Sequence, residues 1–79
     1  MAFTFLAQIP NTPVDDSPTV WRDNETGDLM VQGYRATGED YALAAAAGST
    51  PGHSTVVPDH ETMVRLPASI IPALKAALG

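Results

Sequence analysis

The 79-residue sequence predicts an α+β fold, a small antiparallel sheet of three to four strands with a short alanine-rich helix and a C-terminal amphipathic helix. Three observations carry that expectation. Two β-prone runs, Thr19-Val-Trp-Arg22 and Asp28-Leu-Met-Val-Gln-Gly-Tyr-Arg35, flank Asp23-Asn-Glu-Thr-Gly27, a turn cluster ending in a glycine that tolerates positive φ. Thr37-Gly-Glu-Asp40 has the hydroxyl-x-x-acid spacing of a helix start and leads directly into Tyr41-Ala-Leu-Ala-Ala-Ala-Ala47. Near the C-terminus, Ile70, Ile71, Leu74 and Leu78 recur at helical spacing.

In chain order, residues 1–18 hold three of the seven prolines (Pro10, Pro13, Pro18) and the pair Asp15-Asp16. Proline locks φ and lacks an N–H, so this stretch reads as an N-terminal arm with a short extended piece at Phe3 to Ile9, followed by a single domain over residues 19–79. Phe3, Phe5, Leu6 and Ile9 need cover. Packing on the domain's own core is the leading expectation, against an exposed strand that adds to another chain, or disorder. In the second hairpin strand, Met30, Gln32 and Tyr34 point one way and Leu29, Val31 and Gly33 the other, so neither face is wholly polar. Such a sheet wants cover on both sides. Gly33 marks a bulge or the close approach of another element, with Trp21 a candidate.

Glu39 and Asp40 complement the positive end of the first helix, and Gly48 can terminate it. Ser49-Thr-Pro-Gly-His-Ser54 reads as a loop, Thr55-Val-Val57 as a brief strand and Pro58-Asp-His60 as a turn. Glu61-Thr-Met-Val-Arg-Leu66 reads as a third strand, with Thr62, Val64 and Leu66 on one face and Met63 and Arg65 on the other. Ser69 is the expected N-cap of the last helix, which places Pro72 in the first turn where its missing N–H is tolerated, and Lys75 near the favourable C-terminal end. This helix is expected to cover the sheet, although its stripe, Ile70 and Leu74 above all, also suits a partner-binding face.

Nine acidic residues oppose four bases, Arg22, Arg35, Arg65 and Lys75, for a net charge of −5. Those bases do not cluster in sequence, which argues against direct nucleic-acid binding and fits either a basic protein partner or simple solubility. The acids gather in turns and at the helix start, leaving the strands mostly apolar and hydroxyl-bearing. No cysteine is present, which excludes thiol catalysis, iron–sulfur clusters, disulfides and thiolate zinc sites. The N-terminus lacks the basic and unbroken apolar regions of a signal peptide, and no run approaches the ~18 apolar residues of a membrane span. A cytoplasmic location is the expectation. A chain of this size buries a small core, and self-association as a homodimer is the most accessible further source of stability.

Chemistry-bearing clusters are sparse. His53 and His60 lie on loops, with Asp59 and Glu61 beside the second, but the seven-residue separation matches no strong metal motif. Adjacent residues on a strand point to opposite faces, so His60 and Glu61 make a poor acid–base pair, and no serine sits in a nucleophile elbow. Gly48-Ser-Thr-Pro-Gly52 lacks the lysine of a phosphate loop. No catalytic residue, cofactor or metal is therefore assigned. Trp21, Tyr34 and Tyr41, with Ile70 and Leu74, are the candidate interface residues, because aromatic side chains dominate binding hot spots. Core is the competing role for each, and the stronger one for Trp21.

Two stretches, Ser17-Pro-Thr-Val-Trp-Arg-Asp23 through Leu29-Met-Val-Gln-Gly-Tyr-Arg35 and Pro58-Asp-His-Glu-Thr-Met-Val-Arg-Leu-Pro67, resemble small actinobacterial accessory proteins encoded beside helix-turn-helix regulators, the broad BldB-like group. The resemblance spans roughly residues 17 to 74 and consists of ordinary strand residues. It implies a cytoplasmic, self-associating protein that binds a DNA-binding regulator, as one half of an antagonistic pair of toxin–antitoxin type or as its accessory. No catalytic residue carries over. Two other classes remain in view. One is a small metal-dependent or hydrolytic enzyme using His53, His60, Asp59 and Glu61, and the other is a structural subunit of a larger assembly.

Overall fold

The structure, a computed structural model, describes residues 2–10 and 17–79. The part of the arm that holds Pro13, Asp15 and Asp16 lies outside the described residues. The chain is mixed α and β, with small antiparallel sheets and two helices, and it divides into two compact units, residues 1–34 with 66–79 and residues 35–65. Among the described residues no helix is long and apolar enough to cross a membrane.

The first unit is built on the expected hairpin. β2 (Thr19–Asp23) and β3 (Leu29–Gln32) pair antiparallel, with Trp21 opposite Met30 and Val20 opposite Val31. Gly27 turns the chain at φ 81°, a conformation that favours glycine, and its N–H donates to the Asp23 carbonyl. β1 (Phe3–Gln8) joins on the other side of β2, giving the order β1-β2-β3. The N-terminal segment is thus a strand of the sheet over these residues, rather than an arm outside it.

Register explains how β1 divides its side chains. Phe5 pairs with Trp21, but Ala7 pairs with Val20, so the ladder slips by one residue between them. Val20 and Trp21 are neighbours on one strand and face opposite sides, so the slip sends Phe5 and Ala7 to opposite faces despite their even spacing. Ala7 is buried and Phe5 is exposed. A bulge thus lies in β1, and Gly33, where the sequence suggests a bulge or the close approach of another element, interrupts the second hairpin strand and leaves β4 (Tyr34–Arg35) as a separate two-residue strand.

The C-terminal segment packs on one face of the sheet, along β1. Ala68–Ile70 form a 3-10 turn that runs into α2 (Ile71–Leu78), with Pro72 in its first turn as expected. Ser69 does not cap it: the residue at the helix start is Ile70, with no side-chain cap, because the 3-10 turn already satisfies part of the entry by a bond from the Ile70 N–H to the Pro67 carbonyl. Ile70 joins Ala7, Ile9 and Val20 in the buried core, and Leu6, Leu66 and Leu74 pack around them. Ile70 and Leu74 consequently serve as core and leave the candidate interface set. Ile71 and Leu78 stay half exposed, so the apolar stripe of α2 is narrower than its spacing suggests.

The second unit is organised by α1 (Gly38–Ala47). Thr37 caps it as the sequence predicts: the Asp40 N–H donates to Thr37 Oγ1 at 3.2 Å and the Thr37 N–H donates to Asp40 Oδ2 at 2.9 Å, a reciprocal capping box. Gly48 ends the helix at φ 84°. Of the expected strand at 61–66, only β5 (Val64–Arg65) forms, paired with β4. Residues 55–57 form no strand, and a turn closed by the Glu61 N–H on the Pro58 carbonyl follows them. The expected loop at 49–54 forms, closed by the His53 N–H on the Thr50 carbonyl.

Candidate binding surface

The feature with the clearest functional character is the face of the three-stranded sheet opposite α2. Pairing aligns Phe5, Trp21 and Met30 in one row across β1, β2 and β3, and Phe3 lies two residues from Phe5 on the same face. Phe3 is 53% exposed, Phe5 58% and Met30 42%, while Trp21 is half-buried between its neighbours. Isolated exposed apolar residues are ordinary, but a contiguous row containing three aromatic rings is a candidate interaction surface. On the other face α2 packs along β1, while Leu29 and Val31 of β3 stay exposed there too.

The face has polar boundaries at both ends of its strands. At one end Gln8, Thr19 and Gln32 lie opposite one another across the three strands. Thr19 Oγ1 accepts from Gln8 Nε2 at 3.0 Å and donates to the Ser17 carbonyl at 2.6 Å, and Gln32 Nε2 donates to the same carbonyl at 3.0 Å. These bonds tie Gln8 and Gln32 of the outer strands to Ser17 and Thr19 at that end of the face. At the other end Asp23 stands opposite Phe3 and leads into the turn that carries Glu25 and Asp28. Asp23 Oδ1 accepts the Glu25 N–H at 2.9 Å, which fixes the turn and its carboxylates. Arg22, the nearest base in the sequence, alternates to the α2 face.

The remaining candidate aromatics lie elsewhere. Tyr34, 36% exposed, sits on β4 beyond Gly33, outside the three-stranded sheet. Tyr41, half-buried in α1, plays a structural part, its hydroxyl accepting the Met63 N–H at 3.3 Å. A hydrogen bond with Thr62 is the main reason its phenol titrates below the ordinary value of 10.0, with the Met63 N–H and the nearby Arg35 acting in the same sense. Asp40 is ion-paired with Arg65. Its carboxyl is held below its ordinary value of 3.8, first by the Thr37 backbone N–H and then by Arg65. Together these bonds tie the start of α1 to residues 62–65 and describe a scaffold.

Of the candidate interface residues expected from sequence, Trp21 alone lies in the row; Phe3 and Phe5, expected first to pack on the core and otherwise to form an exposed strand, are exposed, and Met30 was not singled out. The available signal was the Phe3-x-Phe5 alternation beside a hairpin that lacked a third strand. Among the described residues no three of His, Asp and Glu converge in a way that could hold a metal ion. No protein-family model, curated protein or solved structure matches the chain.

Proposed function

We propose that this protein is a non-enzymatic, protein-binding accessory module that works as a homodimer with a DNA-binding regulator, as one member of an antagonistic pair. The observation that carries the binding role is the exposed Phe3–Phe5–Trp21–Met30 row, framed by hydrogen-bonded glutamines on one side and carboxylates on the other. An apolar centre with a polar rim is the general anatomy of a protein interface. The regulator as partner is supported by the sequence resemblance and by the charge of −5, which disfavours phosphate backbones and favours a basic protein.

The test is capture from the source cells with tagged wild-type protein and with a Phe5→Lys variant, followed by identification of what each retains. A helix-turn-helix protein held by the wild type and lost with Phe5→Lys is the expected result. Retention of no DNA-binding protein by the wild type counts against the regulatory role, and a strictly monomeric mass in solution counts against the dimer.

A further inference from the structure

We infer that the Phe3–Phe5–Trp21–Met30 face binds an amphipathic helix of a partner protein whose polar side is basic, laid along the sheet with its charges toward the Asp23–Asp28 turn. This rests on the binding role proposed above and specifies its occupant. Size favours one helix. Neighbouring strands lie ~4.8 Å apart, so the outer strands of a three-stranded sheet are separated by about 10 Å, close to the roughly 10–12 Å diameter of one helix with its side chains. The same sheet already accepts a helix on its opposite face, where α2 packs along β1 and Ile70 and Leu74 join Ala7, Ile9 and Val20 in the core, with Leu29 and Val31 of β3 left exposed beside it.

Area points the same way. A buried aromatic side chain contributes roughly 150–250 Å², so two phenylalanines about half exposed, with Trp21 and Met30, offer roughly 300–400 Å² of apolar surface. That suits three or four apolar anchors of one helix at i, i+3, i+4 and i+7. It is about half of the ~800 Å² per partner of a standard interface between two folded proteins.

Charge selects against a second copy. Asp23, Glu25 and Asp28 lie at the end of the row next to Phe3, and the chain as a whole carries −5. Face-to-face association of two copies would bring like net charges together around an apolar contact of modest area. A basic helix places opposite charge beside the same turn, which accelerates encounter and fixes direction along the sheet.

Trp21 is the chain's one tryptophan and sits in the middle of the row, so occupation can be read from its emission. The probe is a synthetic peptide of leucine and lysine, about five helical turns long, with leucines on one helical face, together with a peptide of the same composition scrambled to destroy the stripe. With the full-length protein at low ionic strength, the amphipathic peptide should shift Trp21 emission to the blue and bind at least tenfold more tightly than the scrambled one. Phe5→Lys should weaken that binding at least tenfold, and Asp23→Asn with Glu25→Gln should reduce both affinity and its salt dependence. Phe5 is exposed, so its variant should fold, and unchanged circular dichroism verifies this.

Equal binding of the two peptides, an unmoved Trp21 emission or insensitivity to Phe5→Lys overturns the inference. So does a dimer of the wild type that becomes a monomer on Phe5→Lys, because the face then belongs to a second copy. If the peptide fails while Phe5→Lys still abolishes capture of the regulator, the accessory role stands and the helix as its ligand does not.

Discussion

Replacing Ile70 by alanine tests the account of the fold most directly. Ile70 is 1% exposed and is one of four buried apolar residues, with Ala7, Ile9 and Val20, that make the core of the first unit. Two of those four, Ile70 and Val20, are the largest fully buried side chains, so little neighbouring bulk is available to refill the space. Truncating a buried isoleucine to alanine costs about 2–5 kcal/mol, and limited collapse places Ile70→Ala near ~3 kcal/mol. A 79-residue domain has a total stability of about 4–12 kcal/mol, so this one change removes a quarter or more of it. At roughly 4–8 °C per kcal/mol for a domain of this size, the expected fall in Tm is about 12–24 °C. Urea unfolding followed by Trp21 emission reports on the same unit, and Ile71→Ala, at a residue 52% exposed, serves as the comparison with an expected cost below about 1 kcal/mol. Equal losses for the two variants, or a loss under about 1 kcal/mol for Ile70→Ala, would falsify the assignment of Ile70 to the core and reopen the α2 stripe as a binding face.

Thr37→Ala removes the side-chain acceptor of the α1 cap and should cost about 1 kcal/mol, read as lost helical circular dichroism and an earlier urea midpoint; Thr37→Ser should retain most of it. Because the Asp40 carboxyl titrates below 3.8 in the folded chain, its contribution is complete above that value and is lost as the pH falls through the lower folded value. A side-chain NMR titration should therefore find Asp40 ionised at a pH where the urea-unfolded chain is half protonated, and Arg65→Gln should move its pKa upward without restoring the ordinary value, since the Thr37 N–H remains. The Tyr41 phenol is likewise depressed, so ultraviolet absorption of phenolate that disappears with Tyr41→Phe should develop at lower pH in the folded protein than in urea. The stabilisation from this group is present above its ordinary value of 10.0 and is lost as the pH falls through the lower folded value. At Gly27, φ is 81° and no atom lies within 4 Å of an added Cβ, so Gly27→Ala should cost about 1 kcal/mol through backbone strain alone and Gly27→Asn less, by thermal denaturation.

Legibility in the sequence followed how local the determining interaction was. The hairpin, the Thr37 capping box, the Gly48 stop and Pro72 in the first turn of α2 were readable because each is settled by residues close together in the chain. The strand expected at Thr55–Val57 and most of that at Glu61–Leu66 were misread because strand formation needs a partner of the right length, and β4 offers two residues. The candidate surface was hidden for a related reason. Even spacing puts Phe3, Phe5 and Ala7 on one face of an ideal strand, and the one-residue slip between Phe5 and Ala7 reassigns them.

That slip links the core to the surface. Had the ladder continued in register, Ala7 would have shared a face with Phe5 and Trp21, and α2 would have met a different set of β1 side chains. With the slip, Ala7 presents almost no bulk beneath α2, which lets Ile70 settle against Val20, while Phe3 and Phe5 are turned out beside Trp21 and Met30. A strand made only to complete a core would place its largest side chains inward. β1 buries Ala7 and packs Leu6 against the core, yet it exposes Phe3 and Phe5 on the face that carries Trp21 and Met30, and that continuous aromatic surface is the physical ground for the ligand proposed above.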